Sequence, residues 1–259
     1  MSQSAPPEPD LSLFSLEGRT AVITGASLNI GAAISLGFAA AGADVLLVAR
    51  GRERLFAHAA LVRERTGRHV VEAAIDVTAP EAPEVIEEAA RQLPGQVDVL
   101  VNNAFSGGSV LGPVLQAPES VWQEVVQTNL LAPVRLCARL APTLAASGRG
   151  SIINVVSGSG LLPTPGLGAY GASKAALWMT TRSLAMELAP AVRVNALCPG
   201  VTTTDGQSAH PAQAQLLPLV PLGRLARADE LVGAAIYLAS DAASYTTGEL
   251  LIVNGGRPW

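Results

Sequence analysis

The chain has 259 residues, of which 49% are hydrophobic and 15% are charged, and its formal net charge is −4 at pH 7. This is enough apolar material for one large α/β domain or two small ones, and no linker-like stretch divides it. The mildly negative charge, without a Lys/Arg cluster, argues against a nucleic acid or an anionic membrane as partner. No run approaches the roughly 20 apolar residues that a spanning helix needs.

The first residues differ from the rest of the chain. Residues 1–15 contain Pro6, Pro7 and Pro9 with acidic residues and lack the parts of a signal peptide, so we expect a disordered leader before a single domain over residues 16–259. Cys137 and Cys198 are far apart and show no metal-ligand spacing. We expect two buried thiols in a reducing, cytoplasmic environment, with no disulfide and no metal.

Strand-like runs alternate with Ala-rich helical stretches along the chain. The predicted strands cover residues 20–24, 44–49, 70–75, 97–101, 151–156, 192–197 and 250–253. The predicted helices cover residues 29–41, 52–66, 80–93, 118–146, 169–188 and 228–238. Strands that are continuous in apolar residues are typical of a parallel sheet covered on both faces. The pattern predicts a doubly wound, Rossmann-type α/β sheet of seven strands.

A glycine-bearing turn joins the first predicted strand to the first helix. It reads Thr-Gly-Ala-Ser-Leu-Asn-Ile-Gly, from Thr24 to Gly31. In such a turn backbone amides can approach a pyrophosphate, which the positive end of the helix also attracts. The strand-turn-helix context therefore indicates a dinucleotide site.

Tyr170 and Lys174 are four residues apart on a predicted helix. Side chains at this spacing share a helix face, so the ammonium can lie beside the phenol. A free tyrosine has a pKa of about 10, and a nearby cation favours the phenolate, which suits proton transfer in carbonyl–alcohol interconversion. The pair alone is a weak pattern that an ordinary helix face also explains.

From about residue 16 to 256 the chain resembles the classical short-chain dehydrogenase/reductase family. The family's Thr-Gly-x-x-x-Gly-x-Gly turn matches Thr24, Gly25 and Gly31, with Asn29 in place of the middle glycine. Asparagine tolerates left-handed backbone better than most residues, so the turn should survive. The family's Asn-Asn-Ala-Gly segment appears here with Phe105 in place of the glycine. Phe105 either packs inward, which we favour slightly, or forms a wall of the substrate pocket.

The resemblance implies a catalytic tetrad of Asn129, Ser157, Tyr170 and Lys174. Ser157 would hydrogen-bond the substrate oxygen, and Tyr170 would donate or accept its proton. Lys174 would lower the pKa of Tyr170 and bind the nicotinamide ribose. Asn129 would kink its helix and hold a water in a relay to solvent. Taken singly, Ser157 and Asn129 also fit a strand-end turn and a polar helix contact.

Cofactor preference depends on the end of the second strand. NAD-specific relatives place a carboxylate there, whereas this chain has Ala49 followed by Arg50, which can hold a 2′-phosphate. We predict NADP(H) over NAD(H), although a basic residue is more usual at Leu28 and Arg50 could simply be a solvated helix start. The resemblance implies cofactor contacts at Gly25, Ser27, Asn29, Ile30, Gly31, Arg50, Asp76, Val77, Asn103, Ala104, Tyr170, Lys174, Pro199, Gly200, Thr202 and Thr204.

The segment at about residues 203–222 is the expected substrate lid, and it has no basic cluster. With apolar residues over 161–167, it favours an uncharged, partly hydrophobic ketone or secondary alcohol. The alternatives are reduction of a C=N or C=C bond and a non-enzymatic cofactor-sensing or scaffold protein. The resemblance also implies a homotetramer paired through the last strand and two long helices, in which Trp259 could reach a neighbouring pocket. These residues leave the substrate, pathway and physiological direction open.

Overall fold

A computed structural model describes residues 10–107, 112–203 and 217–258. Within these ranges seven parallel strands form one sheet in the order β3-β2-β1-β4-β5-β6-β7. This confirms the predicted fold class. The strands are β1 (Thr20–Thr24), β2 (Asp44–Ala49), β3 (Val70–Ala74), β4 (Val97–Asn102), β5 (Gly150–Val155), β6 (Val192–Pro199) and β7 (Leu250–Val253).

Helices cover both faces of the sheet. They are α1 (Asn29–Ala40), α2 (Arg52–Thr66), α3 (Ala82–Ala90), α4 (Glu119–Val126), α5 (Ala132–Ala146), α6 (Gly168–Leu188) and α7 (Val232–Ala239). The helix predicted over 118–146 is not continuous, because a π-helical turn, Gln127–Leu131, separates α4 from α5. The one predicted over 228–238 begins as a 3-10 turn, Ala228–Leu231.

The core has two layers because side chains alternate across each strand. Ile23 of β1 packs into the layer under α1, α2 and α7, and Val22 packs into the layer under α3 and α5. All residues of β1, β2, β4 and β5 are buried. Burial on both faces is why these strands read as continuous apolar runs.

The strand order reverses at β1, which lies between β2 and β4. In open α/β sheets, ligands bind where the carboxyl ends of such strands diverge. Thr24 ties the two ends together, since its Oγ1 accepts hydrogen bonds from the amides of Asn103 and Ala104, both at 3.0 Å. The reversal thus brings the glycine turn beside the segment that follows β4.

The described part of the predicted leader contains a short 3-10 helix, Leu11–Phe14. Asp10 caps it by accepting a hydrogen bond from the amide of Ser12 at 2.9 Å, and the Phe14 ring lies 6.4 Å from that of Tyr237. Residues 10–15 therefore have local structure, and the division at residue 15 stays a prediction. None of the helices seen in the described ranges is long and apolar enough to cross a membrane.

Candidate active site

The glycine turn after β1 requires a residue without a side chain. Gly25 has φ +65°, and a Cβ built on it would lie 2.8 Å from Nδ2 of Asn103 and 2.9 Å from Cα of Ala104. Asn29 has φ +49°, the left-handed conformation that the sequence analysis expected it to tolerate. Asparagine therefore replaces the family's glycine without abolishing the turn.

The turn opens onto a cavity of about 700 Å³ at the carboxyl ends of β1, β2 and β4–β6. This volume falls in the range of small-molecule sites, about 300–1,000 Å³. The start of α1 forms part of the wall and favours phosphate. The lining includes these predicted cofactor residues: Gly25, Ser27, Asn29, Ile30, Gly31, Arg50, Asp76, Val77, Asn103, Ala104, Tyr170, Lys174, Pro199, Gly200 and Thr202. Thr204 lies outside the described residues.

At the β2 end of the cavity, Arg50 lies next to Asp76, with Nη1 3.5 Å from Oδ2. Asp76 also accepts hydrogen bonds from the amide and hydroxyl of Thr78, at 2.8 and 2.7 Å. Burial alone raises the pKa of Asp76, but the Thr78 hydrogen bonds and the Arg50 charge together lower it below its usual value. The carboxylate is therefore ionised, and Arg50, which is 77% exposed, can still turn toward a ligand.

Arg54 also lines this end of the cavity and was not among the predicted site residues. It lies in the first turn of α2, four residues after Arg50. The spacing of basic residues around the predicted helix start was the available signal. The β2 end thus carries two guanidinium groups, which fits a phosphorylated ribose.

Tyr170 and Lys174 lie in the first turns of α6, against the end of β5. Nζ of Lys174 is 5.9 Å from the centre of the Tyr170 ring and donates a hydrogen bond to the carbonyl of Val155 at 2.8 Å. Lys174 is only 2% exposed. Burial lowers its pKa to about 7, so the ammonium loses its proton far more readily than a surface lysine.

Ser157, at the end of β5, accepts a hydrogen bond from the amide of Ser159 at 3.3 Å and lines the cavity with Tyr170. Burial raises the pKa of Tyr170, and the nearby Ser157 hydroxyl only partly offsets the increase. The Tyr170 pKa thus lies above that of free tyrosine, contrary to the lowering expected from Lys174. The reason is that α6 and β5 bury the phenol while the Lys174 ammonium is directed to the Val155 carbonyl.

Asn129 is fully buried in the π-helical turn and does not line the cavity. Its Nδ2 donates to the carbonyl of Ser106 and to Oγ of Ser173, at 2.8 and 2.9 Å, and its Oδ1 accepts from the amide of Ser106 at 2.8 Å. The amide thus joins the segment after β4 to α6. π-Turns are frequent at functional sites, but the water-relay role of Asn129 stays a prediction.

Phe105 does not pack inward, so the expectation we favoured slightly was wrong. Its side chain is 59% exposed and lines the cavity, and its ring is 6.4 Å from the Tyr170 ring at 66°. The amide of Ala104 is held by Thr24 and that of Ser106 by Asn129. With its neighbours tied to the protein interior, the side chain between them faces the cavity.

The segment after β6 closes the cavity on the opposite side. A Cβ on Gly200 would lie 2.7 Å from Cα of Asn254, so the chain passes too close for a larger residue. Thr202 forms an isolated bridge with Ala226. Cys198 is buried and unpaired, and burial raises its pKa to about 12, consistent with the packing role expected for it.

A parallel sheet with a glycine turn at its reversal point and a Ser-Tyr-Lys cluster in the same cavity defines a dinucleotide-dependent oxidoreductase. A family model described as "Enoyl-(Acyl carrier protein) reductase" matches residues 25–257. The chain belongs to the short-chain dehydrogenase/reductase family of NAD(P)-dependent oxidoreductases.

Three relatives illustrate the match. An uncharacterized oxidoreductase of Mycobacterium tuberculosis is 38% identical over 95% of this chain and 94% of its own length. The 3-oxoacyl-(acyl-carrier-protein) reductase FabG of Escherichia coli is 36% identical over 94% of this chain and 98% of its own. The L-sorbose reductase of Gluconobacter frateurii, solved with NADPH and L-sorbose, superposes with a TM-score of 0.87 at 34% identity, covering 94% of this chain and 98% of the other.

Proposed function

We propose that this protein is an NADP(H)-dependent oxidoreductase that interconverts a ketone and a secondary alcohol, with Tyr170 as general acid and base. The observation that carries the proposal is that Ser157, Tyr170 and Lys174 line the same cavity as the glycine turn. A reacting carbon would then lie between a bound nicotinamide and a proton donor. A protein that only senses the cofactor has no need of this cluster.

The proposed acid and base is suited to reduction near neutral pH. With its pKa raised by burial, Tyr170 holds its proton there and can pass it to the carbonyl oxygen. Ser157 keeps the phenol in place and stabilises the charge that develops on that oxygen. When bound, the nicotinamide supplies the hydride that reaches the carbonyl carbon. In the alcohol-to-ketone direction Tyr170 would accept the proton instead.

Lys174 would act on this cluster in two ways. Its hydrogen bond to Val155 fixes the start of α6 on β5, which sets the position of Tyr170. Because burial lowers its pKa to about 7, Lys174 can also give up a proton and pass it toward Tyr170 during turnover. We propose that Asn129 completes this route through a water, as the family resemblance implies.

The preference for NADP(H) is supported by the β2 end of the cavity. Ala49 stands at the carboxyl end of this strand, where a carboxylate would repel a 2′-phosphate, and Arg50 and Arg54 both line the site. Two guanidinium groups bind a phosphate more strongly than the ribose hydroxyls of NAD. The NADPH in the solved L-sorbose reductase complex agrees with this preference.

Reduction of a C=C bond is the second candidate, because the matching family model is described as an enoyl reductase. The position of Ser157 and Tyr170 in one cavity favours the carbonyl reaction, since both hydroxyls can then bind one substrate oxygen. Parallel assays with a ketone and with its α,β-unsaturated analogue separate the two. Product analysis shows which bond gains the hydrogens.

We also propose a homotetramer in a reducing, cytoplasmic environment. β7 is an edge strand of the sheet, with Ile252 37% exposed, and α6 presents Met179 and Met186 at 57% and 84% exposure. Exposed apolar side chains on an edge strand and a long helix fit the surfaces that pair subunits in relatives. The two unpaired thiols fit a reducing environment. Light scattering of the native chain and of Met186→Glu tests the assembly.

The experiment for the reaction is NADPH oxidation by the purified protein across cyclic and aryl ketones, β-keto esters and diketones. We expect turnover of at least one member, and a loss of about 100-fold or more in Tyr170→Phe with cofactor affinity retained. Tyr245→Phe is the matched control, because Tyr245 is fully exposed. Cofactor binding without turnover of any member would favour the sensing protein.

A further inference from the structure

The ring of Phe105 is an exposed aromatic surface beside the proposed acid. It is 59% exposed and meets the Tyr170 ring in an edge-to-face arrangement, with centroids 6.4 Å apart. A large apolar side chain exposed inside a cavity is a common feature of binding sites. Its position next to Tyr170 places it where the part of a substrate adjoining the carbonyl would lie.

The backbone on both sides of Phe105 is fixed. The amide of Ala104 donates to Oγ1 of Thr24 at 3.0 Å. Ser106 exchanges two hydrogen bonds with the side chain of Asn129, both at 2.8 Å, and its hydroxyl donates to Glu124 at 2.5 Å. The backbone that carries the ring is therefore already fixed, so little conformational entropy is lost when the ring contacts a ligand.

Among the described residues that line the cavity, the basic ones are Arg50, Arg54 and Lys174, and Ser106 beside Phe105 is hydrogen-bonded to the carboxylate of Glu124. Arg50 and Arg54 lie at the end of β2 and in α2, and β1 separates β2 from β4, which precedes Phe105. Two strand spacings are about 10 Å. Lys174, which lies over the Tyr170 ring, is buried and donates to the carbonyl of Val155. This end of the cavity is thus unsuited to an anionic group.

An exposed apolar patch lies where the chain after β4 meets the chain before α6. The amide of Gly112 donates to the carbonyl of Gly166 at 3.3 Å, and a Cβ built on Gly168 would clash with Cγ2 of Val114. Val114 is 50% and Leu115 99% exposed, so this junction presents apolar side chains to solvent.

We propose that Phe105 determines substrate choice by stacking on a flat, uncharged ring attached to the reacting carbonyl, as in an aryl ketone. This rests on the proposed ketone–alcohol reaction and adds the class of group beside the carbonyl. An aromatic ring gains from offset or edge-to-face contact in addition to the burial of its apolar surface. A saturated ring of the same size gains only the burial.

The experiment compares acetophenone with cyclohexyl methyl ketone, which differ in the planarity of the ring. We expect the native kcat/KM to favour acetophenone over cyclohexyl methyl ketone. Phe105→Leu should lower that preference about 10-fold, mainly through KM, because the lost ring contact and the lost burial of apolar surface together account for a factor of about 10 in affinity. Phe105→Tyr should retain the preference. Phe56→Leu, which alters an exposed ring outside the cavity, is the matched control. An equal loss on both ketones, or a preference that rises in Phe105→Leu, overturns the proposal.

A binding measurement keeps the inference separate from the reaction. In Tyr170→Phe, which retains the ring that Phe105 contacts, the Kd of acetophenone is measured by calorimetry with NADPH bound, with and without Phe105→Leu. We expect about 10-fold weaker binding in the double variant. Phe105-dependent binding without native turnover of any ketone leaves this inference standing and rejects the proposed reaction. Equal affinities, or no binding to Tyr170→Phe, reject the inference.

Discussion

The ammonium of Lys174 lies over the ring of Tyr170, 5.9 Å from its centre, and its hydrogen bond goes to the backbone of β5 instead of the phenol. The pair therefore does not form a direct lysine–phenol hydrogen bond. Lys174 joins α6 to the sheet and carries an easily lost proton, while the Ser157 hydroxyl acts to lower the pKa of Tyr170. This division of roles leads to the first prediction.

The stability of the cofactor-free protein should rise with pH above 7. The pKa of Lys174 is about 7 in the folded chain and 10.5 as a free side chain, so between these values the unfolded chain binds more protons. Under that condition the free energy of unfolding increases with pH, by up to about 1.4 kcal/mol per unit. Lys174→Met should remove the rise, which urea denaturation between pH 7 and 8.5 would detect.

The rise should end near pH 9. Burial raises the pKa of Cys137 and Cys198 from 9.0 to about 12, so above pH 9 the folded chain retains protons that the unfolded chain loses. Stability then falls with pH. Arg182→Met, which removes an exposed cation from the same helix, is the control and should keep the native profile. Parallel profiles for the native chain and Lys174→Met would contradict the role assigned to Lys174.

Arg50→Ala should weaken NADPH binding about 10-fold or more and change NADH binding much less. The reason is that charge-assisted hydrogen bonds to a phosphate contribute about 1.5–3 kcal/mol, and NADH lacks that phosphate. Arg54→Ala should act in the same direction. Arg52→Ala is the control, since Arg52 stacks on Phe56 and does not line the cavity. Calorimetric titration gives the affinities, and equal native affinities for the two cofactors would count against the NADP(H) preference.

Asn129→Ala should lower the free energy of unfolding by about 2–3 kcal/mol. The substitution leaves the amide and carbonyl of Ser106 without their side-chain partners, and buried polar groups are costly when unpaired. Gln127→Ala, at an exposed position of the same π-turn, should stay within about 0.5 kcal/mol of the native protein. Urea denaturation measures the free energy of unfolding of both variants. A similar loss in the two would show that the hydrogen bonds of Asn129 do not stabilise the fold.

Asn29→Ala should destabilise the chain by about 1–2 kcal/mol, because alanine is strained at the left-handed φ of +49°. Asn29→Gly relieves that strain and should restore the native stability to within about 1 kcal/mol. We expect the affinity for NADPH to follow the same order, with Asn29→Gly close to the native protein and Asn29→Ala weaker. Thermal unfolding with and without NADPH tests both effects. Equal stability of the two variants would show that the backbone angle is not limiting.

Much of the fold could be predicted because the strands are buried on both faces. The bounds of β1, β2, β7 and α2 equal those predicted, since apolar runs and a terminal glycine mark them clearly. The predicted helix over 118–146 contains a π-helical turn at Asn129, where the family resemblance implied a kink. The local pattern did not indicate the partners of the Asn129 side chain, Ser106 and Ser173.

The candidate site divides in the same way. The glycine turn and the Tyr170–Lys174 pair were predicted from local motifs and Ser157 from the family resemblance, and all of them line one cavity. Arg54 and the outward ring of Phe105 were missed or misjudged. Whether a side chain enters a cavity depends on which neighbouring groups hold the backbone, here Thr24 and Asn129.

The sequence by itself determined the parallel sheet and the glycine turn at its reversal point, since hydrophobic periodicity and motif spacing are local properties of a chain. Only the tertiary structure decided how the proposed acid–base residues are charged and which side chains face the cavity. Burial lowers the pKa of Lys174 and raises the pKa of Tyr170, so that each side chain favours its neutral form. For Tyr170 this is opposite to the lowering expected from the pair alone. Desolvation depends on everything packed around a group, and that packing exists only once distant segments have come together.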